Sequence, residues 1–425
     1  MNDARSFGER TFGALKYKWF RWTWIGAFLS TAGSWLQSVV LQFIVASTYQ
    51  DEFLSGLISF LNFIPALLFG LVGGVVADRV SRLRLLITTQ WLELGLAGAM
   101  ALAFALGWDE YWVVALLTFA LGVAISVNGP TYFAFFPSLV EPRDLASAVS
   151  LNSMQFNIGR VIGPGAGAFL LAALGAPVVF GINSLSYVAL IIPLHLIPGH
   201  REKPPATGET GWQSFTSGFR YVRRKPWLQT MLLNRVVQAL FAAQVVTLLA
   251  VFAVKELGYE AEGTGFLFSA FGVGGVVGAI AAASITTRVR RELLIPAVIT
   301  AIGVTQVALA FARSTPLVLV AIFLSGVVYI GGGQTAFQTI IQIGVSDEMR
   351  GRVMAMLFTI FVGLFPIGAL VWGFIARSTG VAFTFWVGGL VMVVYGLAVF
   401  ARPRWLAESA AGSVEAGEPP QGSSA

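Results

Sequence analysis

The chain has 425 residues, of which 56% are hydrophobic and 11% charged, and its formal net charge is +6. Soluble globular domains carry roughly a quarter charged residues, and no soluble fold of this length hides so much apolar surface. Cysteine is absent, which removes disulfides and thiolate metal sites.

A hydrocarbon layer about 30 Å thick is crossed by about 20 mostly apolar helical residues. That ruler predicts spans near 20–47, 53–77, 85–106, 112–136, 146–173 and 177–198, then 227–254, 263–286, 293–312, 316–343, 353–376 and 381–401. The first is longer than the roughly 7–15-residue apolar core of a signal peptide. It ends in the polar joint Ser47, Thr48, Tyr49, Gln50, Asp51 and Glu52 and reads as the first span of a polytopic chain. The expected fold class is an all-α membrane protein, with twelve transmembrane helices in two pseudo-symmetric six-helix bundles.

Lys and Arg stay preferentially in cytoplasmic loops, and here they alternate. Arg5, Arg10, Lys16, Lys18 and Arg21 precede or open span 1; Arg79, Arg82 and Arg84 follow span 2, and Arg143 follows span 4. Arg201, Lys203, Arg220, Arg223, Arg224 and Lys225 lie between spans 6 and 7. Arg288, Arg290 and Arg291 follow span 8, Arg350 and Arg352 span 10, and Arg402 and Arg404 span 12. The opposite loops hold only Lys255, Arg313 and Arg377. The sequence therefore reads as a multi-pass protein of a bacterial-type inner membrane with both termini cytoplasmic. Its basic face meets anionic lipid headgroups, which accounts for the net charge without nucleic acid. Trp19, Trp22, Trp24, Trp108, Tyr111, Trp112 and Trp227 sit near span ends, where amphipathic rings favour the interface.

The expected domains are a cytoplasmic N-terminus (1–19), a first bundle (20–198), a linker (199–226), a second bundle (227–402) and a disordered tail (403–425). Pro204, Pro205, Gly208 and Gly211 read as flexible linker. Trp212, Phe215, Phe219 and Val222 follow at helical spacing beside basic residues, the pattern of an interfacial helix. The halves also repeat: Gly56 lies 22 residues before Asp78, as Gly265 lies 22 before Thr287, and each span ends in a short basic loop. Internal symmetry of this kind marks transporters with a substrate site between the halves.

Gly74, Asp78, Arg79 and Arg82, in Gly74-Val75-Val76-Ala77-Asp78-Arg79-Val80-Ser81-Arg82, resemble the loop motif of the major facilitator superfamily. Ser81 stands where that motif has Gly, and Leu83 where it has a basic residue. The resemblance implies a conformational latch between the halves. Gly159, Gly163, Pro164 and Gly167 in span 5 resemble the superfamily's exporter motif, with Ala168 at its last Gly position. Spacing of four puts the three glycines on one helical face, and Pro164 can bend the span. The runs 218–222 and 349–353 resemble the twelve-span branch containing enterobactin and macrolide exporters.

Charge inside the membrane is costly and marks function by default. Glu93 in span 3, Arg160 in span 5 and Arg235 in span 7 are the three such residues. Glu93, whose charged form burial penalises, is the leading proton-coupling candidate. A structural carboxylate is its alternative. Arg160, the second proton-coupling candidate, answers either to backbone carbonyls or to a substrate anion. Arg235 is expected to snorkel toward the interface. The resemblance implies a cavity lined by spans 1, 4, 7 and 10. Its candidates are Thr31, Ser34, Ser38 and Gln42; Asn128 with Thr131; Asn234 and Gln238; and Gln334, Gln338 and Gln342. An apolar cavity with a few amides and hydroxyls suits moderately hydrophobic, weakly charged cargo. Interhelical hydrogen bonding is the alternative at each position.

His195 and His200 stand together at one end of span 6, too shallow for a metal site deep in the membrane. No phosphate-binding Gly-x-x-x-x-Gly-Lys loop occurs, so an ion gradient rather than ATP is the expected energy source. The expectation is a cofactor-free, metal-free, non-enzymatic monomer that exports a drug- or siderophore-type small molecule by proton antiport with alternating access. Uptake by the same fold, or a membrane sensor or assembly partner, are the alternatives.

Overall fold

The computed structural model describes residues 12–198, 211–286 and 288–402, with side chains throughout except at 70–79, 134, 211–215 and 347. Among the described residues, twelve helices are long and apolar enough to cross a membrane. They are α1 (Lys18–Tyr49), α2 (Glu52–Arg79), α3 (Arg82–Ala105), α4 (Tyr111–Phe135), α5 (Leu145–Leu174) and α6 (Ala176–Leu196) in the first half. The second half holds α7 (Pro226–Glu256), α8 (Ala261–Ile285), α9 (Arg291–Phe311), α10 (Thr315–Gly344), α11 (Asp347–Thr379) and α12 (Val381–Phe400). Most ends fall within a few residues of the apolar ruler. Helix α11 starts six residues ahead of its expected 353, because the polar run through Arg352 continues the helix into the interface.

The two bundles are built alike. Helix α1 packs on α5 and α6, and α7 packs on α11 and α12. Within the first half α3 lies on α4 and α6 and α2 on α4; within the second, α9 lies on α12 and α8 on α10. The joints repeat as well. A single residue links α5 to α6 and α11 to α12, Gly175 (φ 78°) and Gly380 (φ 83°). Left-handed backbone of this kind is costly for any residue with a Cβ, so glycine at both joints allows one long helix to stop and the next to start.

Three helices depart from regular winding, α1 by ending in a π turn over Val45–Tyr49. Helix α7 breaks at Ala242–Ala243 and again at Leu248. Trp372 on α11 donates its indole N–H to the Leu240 carbonyl at 2.6 Å, satisfying an acceptor beside the break. Helix α10 widens into π winding over Val327–Ala336.

The halves meet along two matching seams, α2 with α11 and α5 with α8. The core follows the same plan. The first half has one cluster around Phe20, Leu86, Phe135 and Leu151 and another around Leu36, Met100 and Phe180. The larger cluster of the second half takes in Val39 and Ala46 of α1. Apolar packing therefore crosses between the halves where α1 and α7 approach the face with few basic residues.

Candidate functional site

Both seams are made by small residues. A Cβ at Gly56 would stand 2.6 Å from the Ala369 carbonyl oxygen, and one at Gly373 2.8 Å from that of Glu52. Phe63 meets Phe365 edge to face at 5.0 Å. On the other seam a Cβ at Gly265 would lie 2.1 Å from that of Ala168, and one at Gly165 2.8 Å from the Ser269 hydroxyl. Gly56 and Gly265, paired by the sequence repeat, thus occupy equivalent crossings.

The seams end, on the sparsely charged face, in two ion pairs between the halves. Lys255 meets Glu52 at 2.7 Å and Arg377 meets Asp51 at 3.4 Å. Two of the three basic residues that broke the charge alternation are therefore partnered across the interface. The third, Arg313, donates to the Ala310 and Ala312 carbonyls that end α9.

The glycine face of α5 lies against α1. Gly159 faces Thr31 and Ala32, Gly163 faces Ala32 and Trp35, and Gly167 faces Leu36. The Pro164 carbonyl turns to Gly265 instead. The glycines bring α5 close to α1, and Gln155–Thr31, Trp24–Leu151 and Trp35–Phe156 contacts hold the two helices on either side of that crossing.

On the basic face, Asp144 accepts from Tyr17 at 2.8 Å and pairs with Lys16 at 2.5 Å, holding the segment before α1. The side chains of Gly74, Asp78 and Arg79 lie outside the described residues, as do those of Trp212 and Phe215 and all of 199–210, His200 included. The helix that follows, Gly211–Arg223, packs on α11. Gly218 sits against the Arg352 backbone, and Arg352 donates to Ser217 at 3.3 Å. The runs 218–222 and 349–353 therefore lie against each other.

Glu93 is 3% exposed and faces amides, not arginine. Asn128 on α4 donates to one carboxylate oxygen at 2.6 Å, and Gln90 donates to the other at 3.1 Å. Tyr187 on α6 lies within electrostatic reach of Glu93, and its hydroxyl is 3.1 Å from that of Ser34. No ion pair joins Glu93 to Arg160 among the described residues.

The two arginines have separate surroundings. Arg235 is 6% exposed, so the expected snorkelling does not occur. One of its Nη atoms donates to Gln238 at 2.9 Å and to the Gly333 carbonyl at 3.1 Å, while Phe337 and Phe361 cover the guanidinium at 4.0 and 5.3 Å. These partners, available only in the interior, outweigh a long reach to the interface. Arg160 donates to Asn157 at 2.7 Å, lies about 6 Å from the rings of Trp35 and Phe156, and keeps its buried Nε unpartnered. Tyr329, in the widened part of α10, is buried with its ring 6.1 Å from that of Phe271 on α8.

The other polar positions divide. Thr31 accepts from Gln155 at 2.9 Å, and Gln42 is 3.5 Å from the Ser59 hydroxyl. Thr131 bonds back to the Val127 carbonyl, and Ser38 is half-buried. Asn234 accepts from Tyr395 at 2.6 Å and, with Gln238, supplies the polar groups of an apolar cavity among α7, α9, α10 and α12. Gln334 is half-buried near Tyr329, whereas Gln338 and Gln342, in the α-helical stretch that follows, are exposed. Sequence reasoning missed Tyr187, Tyr329 and Gln244. The last is fully buried and donates to Gln306 and the Thr384 carbonyl. A tyrosine in mid-span, away from the aromatic belt, was the available signal for the first two.

The family profile described as transmembrane secretion effector matches residues 9–420. The multidrug efflux pump Tap of Mycolicibacterium fortuitum is 25% identical over 391 residues, covering 89% of this chain and 94% of Tap. The staphyloferrin A transporter of Staphylococcus aureus is 24% identical over 377 residues, covering 86% and 91%. Among solved structures, an inward-facing, unoccupied bacterial homologue of the human lysosomal transporter Spinster superposes with a TM-score of 0.71 at 15% identity, covering 92% of this chain and 98% of its own. A D-xylose–proton symporter superposes with 0.70 at 13% identity, covering 89% and 96%. The chain belongs to the transmembrane secretion effector family of the major facilitator superfamily, a family of membrane transporters and not of enzymes.

Proposed function

We propose that this transporter exports a moderately hydrophobic small molecule of drug or siderophore type in exchange for protons, alternating access between its two faces as a monomer with both termini cytoplasmic. The Tap efflux pump supports export of drug-type cargo, and the staphyloferrin A transporter supports cargo of siderophore type, each being matched over most of its length. The observation that carries proton exchange is the Glu93 site. Its carboxylate is buried in mid-span with two amide donors and no cation. An unpaired charge in that position is expensive, so the site is suited to losing its charge on taking a proton. Protonation removes the charge at which Asn128 and Gln90 are aimed and loosens the contact between α3 and α4. The seams α2–α11 and α5–α8 supply the sliding surfaces, and the latch residues Gly74, Asp78, Arg79 and Arg82 are placed by resemblance at the cytoplasmic end. Anionic lipid headgroups would meet the basic loops there.

Purified protein in liposomes tests the reading. An imposed proton gradient should drive dye or siderophore movement toward the side with the closed ion pairs. Glu93→Gln should abolish gradient-driven movement while leaving gradient-free exchange of labelled for unlabelled cargo. Unchanged gradient-driven flux in Glu93→Gln would remove the proton assignment, and gradient-driven movement only in the opposite direction would remove export.

A further inference from the structure

The face of the molecule with few basic residues is acidic. Its loops and helix ends carry Asp51, Glu52, Asp109, Glu110, Glu256, Glu260 and Glu262 against Lys255, Arg313 and Arg377. The three bases are already engaged, Lys255 by Glu52, Arg377 by Asp51 and Arg313 by carbonyls. Fixed charge of one sign concentrates the opposite ion nearby, so this face attracts cations. Glu262 is exposed in the first turn of α8. Among the described residues no base lies within ion-pair distance of it. It also lines a groove.

The groove follows the α5–α8 seam and has a volume of about 170 Å³. Helix α5 contributes Gly165, Ala168 and Phe169, and α8 contributes Glu262 and Phe266, so each half supplies one wall. The close crossing of Gly265 and Ala168 lies between the walls. Phe169 and Phe266 are 64% and 68% exposed, so the groove opens toward lipid. Phe266 lies one turn deeper than Glu262, about 6 Å along the helix axis. A carboxylate at the membrane boundary with two aromatic rings beside and beneath it is the complement of an aromatic ammonium. The cation meets the carboxylate and the ring faces, and the apolar body stays among the rings. A cavity of about 150 Å³ holds benzene, so this groove has room for a single small aromatic cation. A zwitterionic lipid headgroup fits worse, because its phosphate would stand beside Glu262 and no base lines the groove to meet it. We infer that Glu262, Phe169 and Phe266 form a binding site for a small aromatic cation, complete only while the ends of α5 and α8 on this face are together. The occupant holds the face closed, so it acts as an inhibitor of alternation and not as cargo. This rests on the alternating-access part of the reading above.

The test uses the full-length protein in phosphatidylcholine nanodiscs, with tritiated benzyltrimethylammonium as the probe and neopentylbenzene, its uncharged isostere, as the competitor. Glu262→Gln should weaken binding of the cation by about tenfold or more, the loss of a charge-assisted contact, and Glu262→Asp should recover part of it. Phe266→Ala should weaken it by about threefold, the loss of one cation–π contact. Neopentylbenzene should compete at least about tenfold more weakly than the unlabelled cation. Closure is read separately, from spin labels at Asp109→Cys and Ser314→Cys on the same face. In the Glu52→Gln background, which frees the ion pair that closes this face, saturating cation should return the broadened label distances to the parent distribution, because a ligand of the closed form alone shifts the equilibrium toward it. Unchanged affinity in Glu262→Gln overturns the proposal. So does equal competition by neopentylbenzene, or loss of binding when phosphatidylethanolamine replaces half of the phosphatidylcholine, which would assign the groove to a lipid headgroup. If the cation binds through Glu262 but the distances stay broad, its inhibitory role falls and the cation site stands. If the distances never broaden in Glu52→Gln, the alternating-access reading fails at this face, and the affinities alone still decide the site.

Discussion

Replacing Glu52 by Gln should open the face that carries the Glu52–Lys255 pair. The pair spans the halves at 2.7 Å, with the Glu52 side chain 11% exposed and that of Lys255 32%. A charge-assisted hydrogen bond contributes about 1.5–3 kcal/mol, whereas an exposed pair contributes about 0–1 kcal/mol. Glu52 is buried, but the Lys255 ammonium reaches water, so the lower end of the first range, about 1.5 kcal/mol, applies. That is roughly a tenfold change in the ratio of closed to open molecules. A resting open population of about one in a hundred would then rise to about one in ten. The looser Arg377–Asp51 pair, at 3.4 Å and largely exposed, should shift the ratio by no more than about fivefold when Arg377 becomes Gln. Because the chain has no cysteine, spin labels can be attached at Asp109→Cys and Ser314→Cys, exposed positions in the loops after α3 and α9. Distances between the labels, measured by pulsed electron resonance, should broaden toward longer values in Glu52→Gln. An unchanged distribution, or a cycle with Lys255→Met that shows no coupling, would refute the lock.

Gly56→Val places a side chain where even a Cβ stands 2.6 Å from the Ala369 carbonyl oxygen. It should cost about 1–3 kcal/mol of overpacking, seen as a lower melting temperature together with a wider opposite face in the same distance measurement. Asp144→Asn weakens the tether of the segment before α1, so trypsin should cut at Lys16 and Lys18 faster than in the parent protein; equal rates would remove the tether. The hydrogen bond to Asp144 raises the proton affinity of Lys16 above its ordinary value of 10.5. The tether is therefore present at neutral pH and is lost as pH rises through that raised value, which protease protection measured against pH will follow.

The spans were legible because the bilayer leaves a chain few ways to satisfy its backbone, and the exceptions to the charge rule turned out to be informative. Lys255 and Arg377 sit on the sparsely charged face because Glu52 and Asp51 hold them there. The glycine faces of α5 and the equivalence of Gly56 and Gly265 could be read from spacing alone. The direction of Arg235 could not. Asn234 and Gln238 mark an inward face of α7, but the length of the Arg235 side chain leaves its end point open between interior and interface. The break of α7 at Ala242–Ala243 lies in a run with neither proline nor glycine, and is completed by Trp372 from 130 residues further on. The widening of α10 left a trace in Gly331, Gly332 and Gly333, but nothing in those letters distinguishes π winding from close packing. The packing of the runs 218–222 and 349–353 is a long-range contact, and a single sequence carries no signal for it.

Glu93 lies inside the first half, held by α3 and α4, so its protonation cannot bear on closure through a direct contact with the second half. It can do so through α4. Tyr132, one turn beyond Asn128, donates to Asn152 at 3.1 Å and Gln155 at 3.3 Å on α5. Gln155 in turn bonds Thr31 at 2.9 Å, one turn before the Gly159 face and Arg160. Any rotation of α4 that follows the charge on Glu93 is therefore felt where α5 packs on α1. Of the two arginines, one belongs to each half, and each is bonded within its own half. Exchange of proton for cargo requires two sites that bias one equilibrium, and spatial adjacency alone does not establish coupling. On the proton-exchange reading proposed above, Glu93 would supply a charge that moves a helix within the first half.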